Sequence, residues 1–150
     1  MGAPWWDPYA RGTIVGITRG TTRAHLVRAA VEAMGYQTRD VVEAMQADAA
    51  LPLTEMKADG GASVMDLLLQ FQADLLGVPV VRPAVQDTTA LGAGLLAGLA
   101  EGVWPDQDAI SSSWEAERTF EPHGDAASEA AYQGWRRAVE RSLRWAAPSS

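Results

Sequence analysis

The chain contains no cysteine, two histidines and no long uninterrupted apolar run. Without cysteine there is no disulfide, no thiolate metal site and no cysteine nucleophile, a composition that suits a reducing cytoplasm. His25 and His123 lie far apart, and neither has a second ligand at metal spacing, so no metal ligands are assigned. Positive charge is also scarce: 12 Lys and Arg against 19 Asp and Glu give a net charge of −7. Nucleic-acid backbones need a basic surface, so a nucleic-acid partner is not expected. The longest apolar run, Ala90 to Ala100, is broken by glycines and too short to span a bilayer, and Met1–Asp7 lacks the basic start and apolar core of a signal peptide. A cytoplasmic chain with no membrane partner is the expectation.

What remains is an ordinary globular composition, 47% apolar and 21% charged over 150 residues. The pattern is organised around Met56–Asp66. Glu55 to Ala58 alternate polar and apolar as a half-buried strand does. Gly60 and Gly61 follow and permit a sharp turn with close approach of a ligand. Ser63 and Asp66 fit a capping box, and Leu67, Leu68, Phe71 and Leu75 then fall at helical spacing. A strand–turn–helix of this kind points free N–H groups at whatever lies above it, often a nucleotide, although a plain tight turn has the same pattern. Asp59 ends the strand. Such a carboxylate can orient a magnesium-bound water or a substrate hydroxyl, or cap its own turn, and the residues leave both open.

Upstream, Trp5 and Trp6 begin an aromatic, turn-rich stretch that belongs against something, and Thr13–Ile17 reads as a short strand. Thr21 or Thr22 caps a long helix with Leu26, Ala30, Met34, Thr38, Val41 and Met45 on one stripe, closed by Pro52. Asp40 and Glu43 read as solvated charge on that helix. Downstream, Gly77 caps the second helix and Val78–Val81 forms a strand whose proline suggests an edge or an end. Thr88 or Thr89 caps a third helix, with Ala90, Gly94 and Gly98 as a smooth face for packing on a sheet. A last helix from about Ala127 to Ala146 carries Tyr132, Trp135, Val139 and Leu143 along one side. Helices alternating with short strands indicate an α/β layer with parallel pairing. Two or three strands are thin cover for these helices, which predicts marginal stability and self-association.

Several blocks together resemble the FGGY carbohydrate-kinase family, in its glycerol-phosphorylating branch. Trp6-Asp7-Pro8-Tyr9-Ala10-Arg11-Gly12 is one; Gly12-Thr13-Ile14-Val15-Gly16-Ile17, with His25-Leu26 and Ala29-Ala30-Val31-Glu32 after it, matches the second signature pattern of that family. Asp59-Gly60-Gly61-Ala62, Gln70-Phe71-Gln72-Ala73-Asp74, Thr89-Ala90-Leu91-Gly92-Ala93 and Gly134–Val139 extend the resemblance over nearly the whole chain. It implies a partial ribonuclease-H-like (actin-type ATPase) domain of the α/β class, with short parallel strands and packed helices. Residues 1–150 would be the C-terminal part of the kinase's C-terminal domain, without the N-terminal catalytic domain.

The resemblance implies ATP/ADP with Mg2+ as ligands and glycerol as acceptor through the missing domain. It also implies a possible homo-oligomer and a chain inactive alone. Gly61 and position 65 would face the adenosine, with Gly60 and Ala62 shaping the turn, and no catalytic residue lies in this chain. Family members commonly carry Asn at the second position, where this chain has Met65. Methionine packs on a purine face but lacks the amide's hydrogen bonds. The alternatives are a non-catalytic assembly module built on the kinase fold, or part of an FGGY kinase for another polyol or sugar.

Overall fold

The computed structural model describes residues 1–124 and 126–148. Asp125, and Ser149 and Ser150 from the tail expected at Pro148–Ser150, lie outside the described residues. The elements run α1 (Arg23–Ala49), β1 (Met56–Lys57), a 3₁₀ turn (Gly61–Val64), α2 (Asp66–Leu76), β2 (Val80–Pro83), α3 (Thr88–Ala100), α4 (Gln107–Ser112), β3 (Ala116–Phe120) and α5 (Ala126–Ser142). The sheet has the order β1-β2-β3, with β1 parallel and β3 antiparallel to β2. The parallel pair is the one expected from β1-turn-α2-β2. The third strand, antiparallel to its neighbour, was not among the strands expected, and it makes the sheet mixed. Val78 and Pro79 precede the strand, so proline marks its start and β2 lies at the centre of the sheet.

α2 forms the middle layer. On one side Leu69 and Ala73 pack on Val80 and Phe120, with Met56 and Ala58 at the margin. On the other side Leu75 and Phe71 meet Tyr36 of α1 and Tyr132 and Trp135 of α5. A helix between two layers must be apolar on both, which is why Leu69 and Ala73 join the expected stripe while Leu67 is left exposed. Gly77 ends α2 at φ +69 and donates its N–H to Ala73 O, as a left-handed cap does.

α1 starts where expected: Thr22 Oγ1 accepts from His25 N, and His25 Nδ1 accepts from Thr22 N. Its buried face is not the expected stripe. Leu26, Met34 and Met45 are exposed, and Gly35, Tyr36 and Asp40 are buried. The reason is aromatic packing. A Cβ on Gly35 would stand 2.7 Å from Phe71 Cδ1, so the missing side chain lets the Phe71 ring sit against α1. Tyr36 then meets Phe71 edge-on at 5.2 Å and stacks on Trp135 at 5.5 Å.

Asp40 is the second correction, since it is buried where solvated charge was expected. It accepts hydrogen bonds from Tyr132 Oη (2.7 Å), Trp135 Nε1 (2.8 Å) and Trp5 Nε1 (3.4 Å). Glu43 also accepts from Tyr132, and the Arg39 guanidinium lies 3.9 Å from the Tyr132 ring centre. Burial raises the Tyr132 phenol's pKa, and the two carboxylates raise it further. This cluster is where the expected seat for Trp5 is found; Trp6 remains exposed.

Two other expectations fail for want of a neighbour. Thr13–Ile17 forms no strand among the described residues. α3 is capped by Asp87 rather than by a threonine, and none of its residues is buried. A placed Cβ on Gly94 meets nothing within 4 Å, and Gly98 is covered by Trp104 of the following loop, 2.9 Å from a placed Cβ, so this face does not pack on the sheet. No helix among the described residues is long and apolar enough to cross a membrane.

Replacing Asp40 by alanine leaves the Trp135 N–H without its buried acceptor. The expected cost is about 2–3 kcal/mol for the stranded donors, read as a lower urea midpoint for Asp40→Ala at unchanged slope.

Candidate functional site

The glycine turn leaves the carboxyl ends of the parallel strands β1 and β2, the edge at which ligands of α/β sheets collect. Ala58 N still donates to Val81 O (3.0 Å) as β1 ends. Gly60 then adopts φ +79, ψ −179, a region open essentially to glycine alone, and its N–H donates to Gln86 O (3.0 Å) beyond β2. Gly61 does not share the positive φ. Gly60 O accepts from both Ser63 N (3.0 Å) and Ser63 Oγ (2.7 Å), and Ser63 is buried. The expected capping box is therefore absent. Ser63 closes the 3₁₀ turn instead, and Met65 occupies the N-cap of α2 without a side-chain hydrogen bond.

Asp66 is diverted to an ionic cluster. Buried Arg82 donates to Asp66 Oδ1 (2.8 Å), to Ser63 O (3.0 Å) and, through Nε and Nη2, to both carboxylate oxygens of Glu117. Arg118, directly across the sheet from Arg82, pairs with Asp66 Oδ2. The hydrogen bond from Arg82, reinforced by Arg118, holds the Asp66 carboxyl below the usual carboxylate range. Asp66 and Glu117 in turn raise Arg82.

Of the residues singled out from sequence, Gly60, Gly61 and Ala62 come together on one exposed turn, with Met65 half-buried where it meets α2. Among the described residues the amides of Gly61 and Ala62 donate to no protein acceptor. A placed Cβ on Gly61 meets nothing within 4 Å, so the surface above it is open. Asp59 is exposed, accepts no hydrogen bond among the described residues, and borders a cleft of about 310 Å³. Trp114, Leu91 and Leu95 wall that cleft, with Lys57 Nζ 3.9 Å from the Trp114 ring centre. The turn thus offers free donors, a side-chain-free approach and an adjacent apolar wall, features that suit a flat polar ligand with an anionic tail. A cavity of about 350 Å³ at Thr13–Val15, α1 and α5 is larger, but it lies on another part of the fold and carries none of these donors.

Sequence reasoning missed Arg82, Glu117 and Trp114. Arg82 had a signal, a basic residue inside the apolar strand Val80–Pro83, which burial would force into an ion pair. His25 acts at the start of α1 through its contacts with Thr22. His123 sits in a loop, where its N–H donates to Asp74 Oδ1 (2.8 Å).

Residues 1–101 match the family profile described as FGGY family of carbohydrate kinases, C-terminal domain. The chain belongs to the FGGY family of carbohydrate kinases. Among curated FGGY relatives, the glycerol kinase of Trichlorobacter lovleyi is 59% identical over 150 residues, covering 99% of this chain and 30% of that protein. Glycerol kinase 2 of Thermotoga maritima is 57% identical over 146 residues, covering 97% and 29%. The chain therefore spans about 30% of the length of the curated relatives it matches. In structure it is similar to Plasmodium falciparum glycerol kinase with ADP, with a TM-score of 0.82 and 30% identity over 94% of this chain and 28% of that one. The FGGY xylulose kinase of Lactobacillus acidophilus is more distant, with a TM-score of 0.70 and 27% identity over 93% and 28%. The partial actin-type fold read from the sequence is that of these relatives.

Two outcomes test the site's construction. Gly60→Ala forces a side chain into the glycine-only region and should cost roughly 1–3 kcal/mol, measured as a lowered melting temperature. Asp66 stabilises the fold above its unfolded pKa of about 3.9, and that contribution disappears as pH falls through the depressed folded value. Melting temperature against pH should accordingly fall less steeply on the acid side for Asp66→Asn than for the parent chain.

Proposed function

We propose that this chain is the nucleotide-side part of an ATP-dependent glycerol kinase, the C-terminal part of its C-terminal domain. Gly60, Gly61, Ala62 and Met65 face the bound ATP or ADP. The observation that carries the reading is the open glycine turn at the strand ends, in a chain similar to a glycerol kinase whose structure contains ADP. Glycerol is favoured over another polyol because the likeness is higher to the glycerol kinase than to the xylulose kinase.

The residues present fit a nucleotide by their chemistry. The unpaired Gly61 and Ala62 amides suit an anionic or carbonyl acceptor, and the bare α-carbons at 60 and 61 let it come close. Met65 contributes polarisable contact to a base without fixing its edge. No three metal-ligating side chains converge among the described residues, and Mg2+ fits as an ion carried on the nucleotide's phosphates. Phosphoryl transfer requires in-line positioning and stabilisation of the charge on the transferred group. This chain assigns no residue to the acceptor hydroxyl, so it is inactive alone and works in the cytoplasm with the rest of such an enzyme. Nucleic acids and membranes have no part in the reading.

A second reading, a non-catalytic assembly module, draws on the uncovered apolar surface of α3 and of Ile14, Val15 and Ile17. Calorimetric titration with Mg-ADP separates the two. The chain should bind weakly, and Met65→Asn should tighten binding about fivefold for one added amide hydrogen bond. A folded chain that ignores ADP in both forms overturns the nucleotide reading and favours the module. Detectable ATP-dependent glycerol phosphorylation by the pure chain would overturn its inactivity.

A further inference from the structure

Tyr36 carries a hydroxyl that the packing around it does not use. The residue is 8% exposed, and its ring is held edge-on by Phe71 and stacked on Trp135, whose plane lies 22° from its own. The hydroxyl joins no hydrogen bond among the described residues, whereas that of neighbouring Tyr132 donates to Asp40. Helical side chains lean toward the N-terminus, so the Tyr36 hydroxyl extends over the turns that hold Ala29, Glu32 and Ala33. Those residues wall the cavity of about 350 Å³, which Tyr36 and Trp135 also line. Burial, and then Glu32, raise the phenol's pKa, so the group is a neutral donor at physiological pH. A buried donor without an acceptor costs free energy that an entering acceptor would recover.

We propose that this cavity is a binding site for a small neutral molecule of the aromatic-alcohol class, apolar except for one oxygen that accepts the Tyr36 hydrogen bond. The volume suits a substituted ring, since roughly 150 Å³ of apolar cavity already holds benzene. Val15 and Leu26 supply branched walls, and Ala30 of α1 and Ala138 of α5 leave the space between them unfilled. Alanines alone would make only a gap; the unpartnered hydroxyl gives it a polar end. Thr13 already donates its hydroxyl to Arg11 O (3.1 Å), which leaves Tyr36 as the free donor hydroxyl on the lining. Charge is excluded. Glu32, the one charged residue on the lining, is paired with Arg28. A cation would have to displace that arginine and an anion would meet the carboxylate, so the fitting ligand is neutral. The cavity shares no residue with the glycine turn, so this site goes beyond the nucleotide reading and stands without it.

The test titrates the full 150-residue chain with phenethyl alcohol and, separately, with ethylbenzene, which lacks the oxygen, while backbone amide shifts are followed. Saturable binding of phenethyl alcohol is expected, with the largest shifts at Ala29, Ala33 and Ala138. Tyr36→Phe removes only a hydroxyl without a partner, so the melting temperature of the free chain should not fall. The same variant should weaken phenethyl alcohol about fivefold, for one lost hydrogen bond, and leave ethylbenzene unchanged. Ala33→Leu fills the hollow and should weaken both ligands at least tenfold with the circular dichroism of the chain unchanged. No saturable binding by a folded chain, shifts confined to another part of the fold, or a Tyr36→Phe variant that affects both ligands alike or neither would each overturn the proposal. Should Ala33→Leu fail to fold, the Tyr36→Phe comparison decides alone. A chain that binds phenethyl alcohol in this way but ignores Mg-ADP would sustain this proposal and sink the nucleotide reading.

Discussion

Two guanidinium groups face each other across the centre of the sheet, and the position of the glycine turn follows from how that repulsion is removed. Arg82 on β2 stands opposite Arg118 on β3, a like-charge pair that is destabilising in an antiparallel ladder. Asp66 inserts one carboxylate oxygen toward each. The irregularity at Arg82/Pro83 shifts the register of β3, so that Glu117 has no direct partner in the ladder and turns its carboxylate to Arg82. A buried cation is tolerable only when fully paired, and here each pairing group belongs to a different element. Arg82 therefore holds the 3₁₀ turn through Ser63 O, the start of α2 through Asp66 and the edge strand through Glu117.

The same logic recurs at the other end of α2, with an anion in place of the cation. Asp40 collects donors from α5 and from the N-terminal segment, and Arg39 adds ion pairs to Glu43 and Glu129 beside it. α2 lies between a cationic hub at the sheet and an anionic hub among the helices. The apolar contacts of Leu69, Ala73, Phe71 and Leu75 supply the cohesion, and the two hubs fix the register of the layers.

Much of this was legible in the residues. Gly60 and Gly77 announced the positive-φ positions before the 3₁₀ turn and after α2, Thr22 the start of α1, and Tyr132 and Val139 the buried side of α5. The turn at Gly60 and Gly61 was readable because local backbone chemistry specifies it, whereas Ala62 was singled out through the family resemblance. What escaped was long-range pairing. Asp66 resembles a cap when only its near neighbours are known, and its actual partners lie 16 and 52 residues away. Asp40 looks solvated until Tyr132 and Trp135 arrive from α5. The α1 stripe was misplaced because a glycine, which carries no apolar signal, makes the contact with Phe71. Thr13–Ile17 was read as a strand and α3 as packed on the sheet, because spacing cannot say whether a covering element is present.

The N-terminal segment and the residues after α5 are fastened to one another: Arg144 N donates to an Asp7 carboxylate oxygen, Arg11 N to Ser142 O, and Ala146 N to Tyr9 O. Mechanically, this makes the two ends of the chain a seam. Tension applied between them would load these few bonds one after another, like a zip, and then draw Trp5 from Asp40. Only after that would force reach the α2 core and the sheet, so the glycine turn is insulated from strain entering at either end.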